Sequence, residues 1–354
     1  MNVLQSWYYF GHLEIISDIF LTLGLFMSWT SRVLLGFALI LFSGCDNEVD
    51  INADWKETIV VYGLLNPNDS VQYIKVNKAF LNENISALVA AKEADSLYIK
   101  SVEVKLVDIY TGAEFILDRV NKLPKDSGLF NNTVNYLYQT TTKIAENQPY
   151  KLIVKSLETG NSIEAVTWTV GRTRIEAPFR TSNPQFSLGT EYITISYVPA
   201  ANSYAYDIKF YVQVDEFNAK DTLFLGTKNL KWNVISNFPV PRSNGGIAPT
   251  IIHKIERESL FQFLSTQLDS VPTISRRIKS VGIEFFAGNQ TLVDYISVNE
   301  PSIGIVQKQA EYSNVFGGFG LFASRSTQSI MNVPVDPTSL GILKVNKWTR
   351  YLNF

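Results

Sequence analysis

The sequence predicts a mainly β chain, folded as two β-sandwich-like domains with one or two short helices. Three observations predict it. Apolar side chains recur at every second position over several stretches, the period of a half-buried strand. Turn signals punctuate those stretches every ten or so residues, the spacing expected of a sandwich. The composition is 46% hydrophobic and 13% aromatic with only 18% charged side chains in 354 residues, enough to bury the cores of two ordinary domains and contrary to disorder.

The chain opens with a leader, residues 1–44. Met27 to Arg32 carries one positive charge, and Val33 to Phe42 is an apolar run. Val33 to Gly44 would make a helix of about 18 Å at roughly 1.5 Å per residue. A bilayer core of about 30 Å is too thick for it, so the run is expected to be a signal-peptide h-region. Leu41-Phe42-Ser43-Gly44-Cys45 resembles a bacterial lipobox, which implies that Cys45 is acylated and becomes the lipidated first residue. Glu14 and Asp18 sit upstream of the basic residue, which suits a true start at Met27. The rival reading is a transmembrane helix over Ile15 to Trp29, made costly by Asp18. Residues 45–56 are expected to be a tether. Its Asp46-Asn47-Glu48-Val49-Asp50 run resembles the export signal of surface lipoproteins in the Bacteroidota.

The N-terminal domain is expected over 57–172. Thr58 to Leu65 is a continuous apolar, β-branched run that ends at the turn Asn66-Pro67-Asn68-Asp69, and so reads as a buried strand. Strands over Val71 to Phe80, Val102 to Val107 and Glu114 to Leu117 follow, the last two joined at Thr111-Gly112. Pro149 to Leu157 and Ser162 to Val170 flank Glu158-Thr159-Gly160-Asn161 as a second hairpin. Alanines at 87, 90, 91 and 94 favour a helix over Asn84 to Asp95.

Gly171, two prolines and Asn183 break the pattern near Arg172 to Pro184, and a C-terminal domain is expected over 185–354. Ile193, Ile195 and Tyr197 alternate with polar residues. After a turn at Val198 to Asn202, apolar residues hold every second position from Tyr204 to Val214. This strand-turn-strand resembles the B and C strands of an immunoglobulin or fibronectin type III-like sandwich. Glu256 to Leu268 reads as an amphipathic helix, and Lys279 to Phe286 returns to strand.

The candidate chemistry is sparse. A formal net charge of −2 argues against nucleic acid as a partner. Two histidines and one cysteine leave no Cys/His zinc site and no disulfide framework. His253, the only histidine after the leader, has no nucleophile elbow or zinc motif around it and is expected at the surface or an interface. Asp95, Asp108, Glu114, Asp118, Asp215 and Glu216 could supply a carboxylate pair for a glycan-acting hydrolase, but carboxylates on strands and turns are usually solvated surface. The oxygens of Asn66 to Ser70 lack calcium-loop spacing and read as a turn. Gly317-Gly318-Phe319-Gly320 is neither a Walker loop nor a dinucleotide fingerprint, and reads as a bulge or a close approach of another backbone. No catalytic, cofactor or metal residue is therefore assigned, and no cofactor is expected.

Residues 312–325 carry the pattern Tyr-x-Asn-x-x-x-Gly-x-Gly-x-Phe-x-x-Arg, and Val60 to Leu65 is followed by Tyr73-Ile74-Lys75-Val76. Both are similar to those of an uncharacterised family of Bacteroidota lipoproteins, a domain of unknown function whose genes often neighbour TonB-dependent receptors. The resemblance covers nearly all of 45–354. It implies a role in envelope binding or uptake, with a TonB-dependent receptor as partner. Together with the lipobox it suggests a non-enzymatic protein lipid-anchored at the outer membrane or cell surface, whose aromatic-bearing strands would offer tyrosine and tryptophan faces to a glycan or peptide ligand. Besides the hydrolase, the alternative is an adhesion or assembly component.

Overall fold

The computed structural model describes residues 58–79, 89, 91–121, 123–124, 128, 130–179, 183–241, 250–300 and 311–354. The leader, Cys45, the tether and half of the helix expected over Asn84 to Asp95 lie outside the described residues; within the described half, Ala91 and Lys92 form a turn and a helix begins at Ala94. Lys56–Phe354 forms one compact unit. In chain order the elements are β1 (Ile59–Leu65), β2 (Gln72–Lys78), α1 (Ala94–Leu97), β3 (Val102–Asp108), β4 (Glu114–Ile116), β5 (Asp118–Val120) and β6 (Leu137–Thr140). There follow β7 (Pro149–Ser156), β8 (Ser162–Trp168), β9 (Arg174–Ala177), β10 (Tyr192–Val198), β11 (Ala205–Asn218), β12 (Phe224–Pro239) and β13 (Ile251–Glu256). The rest are α2 (Arg257–Gln267), β14 (Ile274–Gly288), α3 (Gln290–Asn299), β15 (Val315–Phe316), β16 (Phe319–Val333) and α4 (Pro337–Val345).

The chain is mainly β, in three sheets. The largest has eight strands in the order β12-β11-β14-β16-β1-β2-β6-β5. A five-stranded sheet, β15-β8-β7-β3-β4, and a three-stranded one, β13-β10-β9, complete the set. Two hydrophobic cores lie against the inner face of the large sheet. One joins Val61, Ile74 and Phe322 to Leu106, Leu152 and Val154 of the five-stranded sheet. The other joins Ile208, Phe210 and Phe285 to Ile195 and Tyr197 of the three-stranded sheet and to Leu260, Phe261 and Leu264 of α2.

The two expected sandwiches therefore share one sheet. The link is β16, which runs parallel to β1 from Val60↔Phe319 to Leu65↔Ser324 and antiparallel to β14 from Gly288↔Arg325 to Val281↔Val333. Phe322 and Val315, from the C-terminal half of the sequence, sit in the N-terminal core. The glycine segment makes the link possible. β15 pairs with the edge of β8, the chain turns at Gly317 with φ +79, and β16 starts two residues later. A Cβ on Gly318 would lie 2.5 Å from the Ile59 carbonyl oxygen, and one on Gly320 1.8 Å from that of Val61. Gly320 also has φ +121, which L side chains rarely adopt.

Elsewhere local chemistry places the elements. The alternation in β11 buries Tyr206, Ile208, Phe210, Val212 and Val214. The turn before it carries the chain from the three-stranded to the eight-stranded sheet, and the Tyr206 hydroxyl accepts from the Ala200 N–H at 2.8 Å to hold that corner. In α2, Leu260, Phe261 and Leu264 form the buried stripe. Asp336 caps α4 by accepting from the Ser339 N–H, with Pro337 in the first turn. The buried Arg276 guanidinium donates to Glu216 Oε1 at 2.8 Å and to the Leu352 carbonyl at 2.9 Å, fastening the C-terminal segment.

Two glycine substitutions separate these causes. Gly320→Ala must displace the Val61 carbonyl, and is expected to destabilise the fold by more than about 2 kcal/mol. Gly341, inside α4 with open space around it, is expected to gain up to about 1 kcal/mol as Gly341→Ala. Urea midpoints of the two variants check both signs.

Candidate functional site

The outer face of the large sheet, opposite both cores, carries the site. Ile59, Val61, Gly63 and Leu65 of β1 point inward, so Tyr62 and Leu64 point out; Tyr73 and Lys75 of β2 and Leu137 of β6 do the same by the same alternation. On β16, Phe322 and Ser324 face inward, leaving Leu321 and Arg325 on the outer side. These side chains line a groove of about 320 Å³. Helix α3 packs beside it on the same face: Leu292 lies over Gly288, and Tyr295 stands close enough to Tyr62 to act on its phenol. Burial first, then Tyr295, pushes the Tyr62 phenol pKa above its usual value.

The rim is built by the turn after β1. Asn68 Oδ1 accepts from the Ser326 hydroxyl at 2.8 Å and the Thr327 N–H at 3.1 Å, and Asn66 Nδ2 donates to Thr327 Oγ1 at 3.4 Å. Asn66 Oδ1 accepts from the Asn68 N–H, so the amide oxygens of this turn are already engaged. The turn, thus tied to β16, sets Asp69 into the groove with Arg325. Lys75 Nζ, also in the groove, donates to Asn135 Oδ1 at 3.2 Å.

Arg325 is the unusual member. Its Nε is buried without a hydrogen-bond partner, and its guanidinium forms no ion pair with any described residue. Two other cavities differ in this respect. In one of about 280 Å³ over Gly282, Tyr211 donates to Glu284, Ser280 to Gln213, and Gln213 to Asn229. In one of about 320 Å³ where β8 meets the start of α3, Asn289 donates to Thr167 Oγ1 and the Trp168 carbonyl. Their polar side chains satisfy one another, whereas the groove leaves a cation unanswered.

The residues singled out in the sequence lie elsewhere. Asp108 Oδ1 accepts from the Tyr110 and Thr111 N–H groups of its hairpin. Glu114 pairs with Lys105, Glu216 with Arg276 and Lys228, and Asp215 accepts from Thr227. Asp95 is in the first turn of α1, and Asp118 is exposed on β5. None of the six lines the groove. Among the described residues no group of three or more His, Cys, Asp or Glu side chains is placed to hold a metal ion. Nor is any described helix long and apolar enough to cross a membrane. Arg325 entered the sequence reading only as the last letter of a pattern. The available signal was an arginine within the serine- and threonine-rich run of β16.

His253 is half-buried on β13 rather than at an open surface. Its ring stacks on Tyr197 and meets Phe238 edge-on, with centroids 5.9 and 4.6 Å away. Burial lowers its pKa from 6.5.

No family model and no curated protein matches the chain. Among solved structures, it is similar to the C-terminal globular domain of an oligosaccharyltransferase from Pyrococcus abyssi, at 10% identity and a TM-score of 0.21. The likeness covers 65% of this chain and 46% of that one, so the chain spans less than half of its length. At that score it carries nothing about fold or activity.

The neutral imidazole sets a pH dependence. The unfolded chain takes up a proton on His253 near pH 6.5 while the folded one resists it, so this contribution to stability is present above that pH and declines as pH falls through the lowered folded value. His253→Gln is expected to reduce the loss of thermal stability between pH 7 and pH 5. Melting curves of both proteins at the two pH values check it.

Proposed function

We propose that the protein is a lipid-anchored lipoprotein of the outer membrane or cell surface, belonging with the Bacteroidota family that its motifs resemble. It binds a ligand in the groove between Arg325 and the tyrosines of β1 and β2, and does not transform it. The observation that carries the binding reading is an Arg325 guanidinium with no ion-pair partner among the described residues, set in a groove walled by Tyr62, Tyr73 and leucines. The Nε itself is closed off, so the donors open to a ligand are the terminal guanidinium nitrogens, which no described side chain or carbonyl engages. One carboxylate, Asp69, lines the groove among the described residues, whereas glycoside hydrolysis ordinarily needs two flanking the scissile bond.

The anchor reading rests on Cys45, the chain's only cysteine, standing directly after an apolar run and the small residues Ser43 and Gly44. Several acyl chains hold a protein to a bilayer where one does not, because each buried methylene contributes about 0.8 kcal/mol. A TonB-dependent receptor in the same membrane is the partner this placement suggests.

Cell fractionation tests the anchor. Wild-type protein is expected in the outer-membrane pellet, and Cys45→Ala is expected to leave it. Equal retention of both would mean that something other than the acyl group holds the chain.

A further inference from the structure

We infer that the groove takes an acidic sugar, with the sugar carboxylate on Arg325 and the ring against Tyr62 and Tyr73. The inference rests on the reading of the groove as a binding site, and it names the ligand class.

The charge comes first. A guanidinium keeps its proton throughout the physiological range and presents donors in a planar fork that matches a carboxylate with two parallel hydrogen bonds. The Arg325 Nε is closed off, and neither terminal nitrogen donates to a described residue, so the two terminal nitrogens form the fork offered to the groove. Asp69 stands in the same groove without coming within ion-pair distance of Arg325. Arg325 and Lys75 against Asp69 leave the groove with one net positive charge, which a monoanion balances and a phosphate monoester with nearly two charges exceeds.

The body of the ligand follows from the backbone. Peptides commonly bind β proteins by adding a strand to a free sheet edge. The groove lies over β16, β1, β2 and β6, each hydrogen-bonded to a neighbour on both sides. No free main-chain edge is offered there, so recognition has to come from side chains. Tyrosine rings present flat apolar surface with polar tips, and Asp69 and Lys75 can accept from and donate to ring hydroxyls. About 320 Å³ is at the small end of ligand sites, which run from about 300 to 1,000 Å³. The groove therefore suits one end of a chain better than a long polymer.

Isothermal titration of the full chain in detergent, with short oligogalacturonate as probe, tests this. Matched neutral oligogalactose and a short peptide with a free C-terminal carboxylate are the other arms. The uronate is expected to bind and the other two to bind at least about tenfold more weakly. Arg325→Gln is expected to weaken uronate binding by roughly tenfold or more, the scale of a lost charge-assisted hydrogen bond. Arg325→Lys, which keeps the charge and loses the fork, should fall between; it also serves if the glutamine variant does not fold. Equal binding of the neutral sugar overturns the acidic-sugar assignment and leaves the groove reading standing. Peptide bound as tightly as uronate, or no uronate binding, overturns the assignment too. Uronate affinity unchanged in both Arg325→Gln and Tyr73→Ala overturns the groove itself.

Discussion

Parallel pairing of β1 with β16 is the constraint on which the rest of the architecture depends. It brings together residues at opposite ends of the described chain, Val60 with Phe319. Both cores need it: β1 contributes Val61 to one, β16 carries Phe322 into that same core, and its far end runs on to Val333 in the other. Loop-closure entropy grows only slowly with length, so so distant a pairing is thermodynamically tolerable, although non-local pairings of this kind slow folding. The steric condition is stricter. The strands meet where the Val61 carbonyl occupies the space a Cβ at position 320 would need.

A continuous sheet beneath two cores raises a second problem, because the cores do not merge. Where they meet, hydrogen bonds replace apolar packing. The Ser324 hydroxyl donates to the Leu65 carbonyl and accepts from the Val170 N–H, uniting β1, β16 and the end of the N-terminal half at one buried oxygen. Asn289 does the same with an amide. Its oxygen caps α3 through the Leu292 N–H, and its nitrogen donates to Thr167 and Trp168. Such a seam is directional where an apolar one is not, since a one-residue slip of β16 would leave several buried polar groups without partners.

That seam also explains what could and could not be read from the sequence. β11 was legible because one of its faces meets the core and the other meets solvent or polar neighbours, which imposes alternation. The hairpins at Gly112 and Gly160, both with positive φ, were legible from their glycines. β16 was not, although it is central. Ser324 and Ser326 occupy inward positions where apolar residues would have marked a strand. β12 is an edge strand, largely exposed and with irregular register against β11 near Ile208, and so lacks a clean period. The sharing of one sheet by the two expected domains was hidden for a related reason, since no local pattern reports a partner so far along the chain. α4 did announce itself, through Asp336 before Pro337, but no apolar period was long enough to draw attention to it.

The pattern spanning 312 to 325 bears on the site in the same terms. Tyr312 packs edge-on to Tyr295 of α3. The Asn314 side chain accepts from the Phe322 N–H and donates to its carbonyl, imitating a strand partner. Gly318 and Gly320 admit the β1 backbone, and Phe322 fills the N-terminal core. Each of these residues has a structural use that its chemistry accounts for. Arg325 is placed differently: it sits one residue beyond the β1 pairing, on the outer face, with its Nε buried and unpartnered. Burying part of a guanidinium there without a partner disfavours the folded state. Its terminal nitrogens lie toward the groove without a described partner, and they are where an anion would be held.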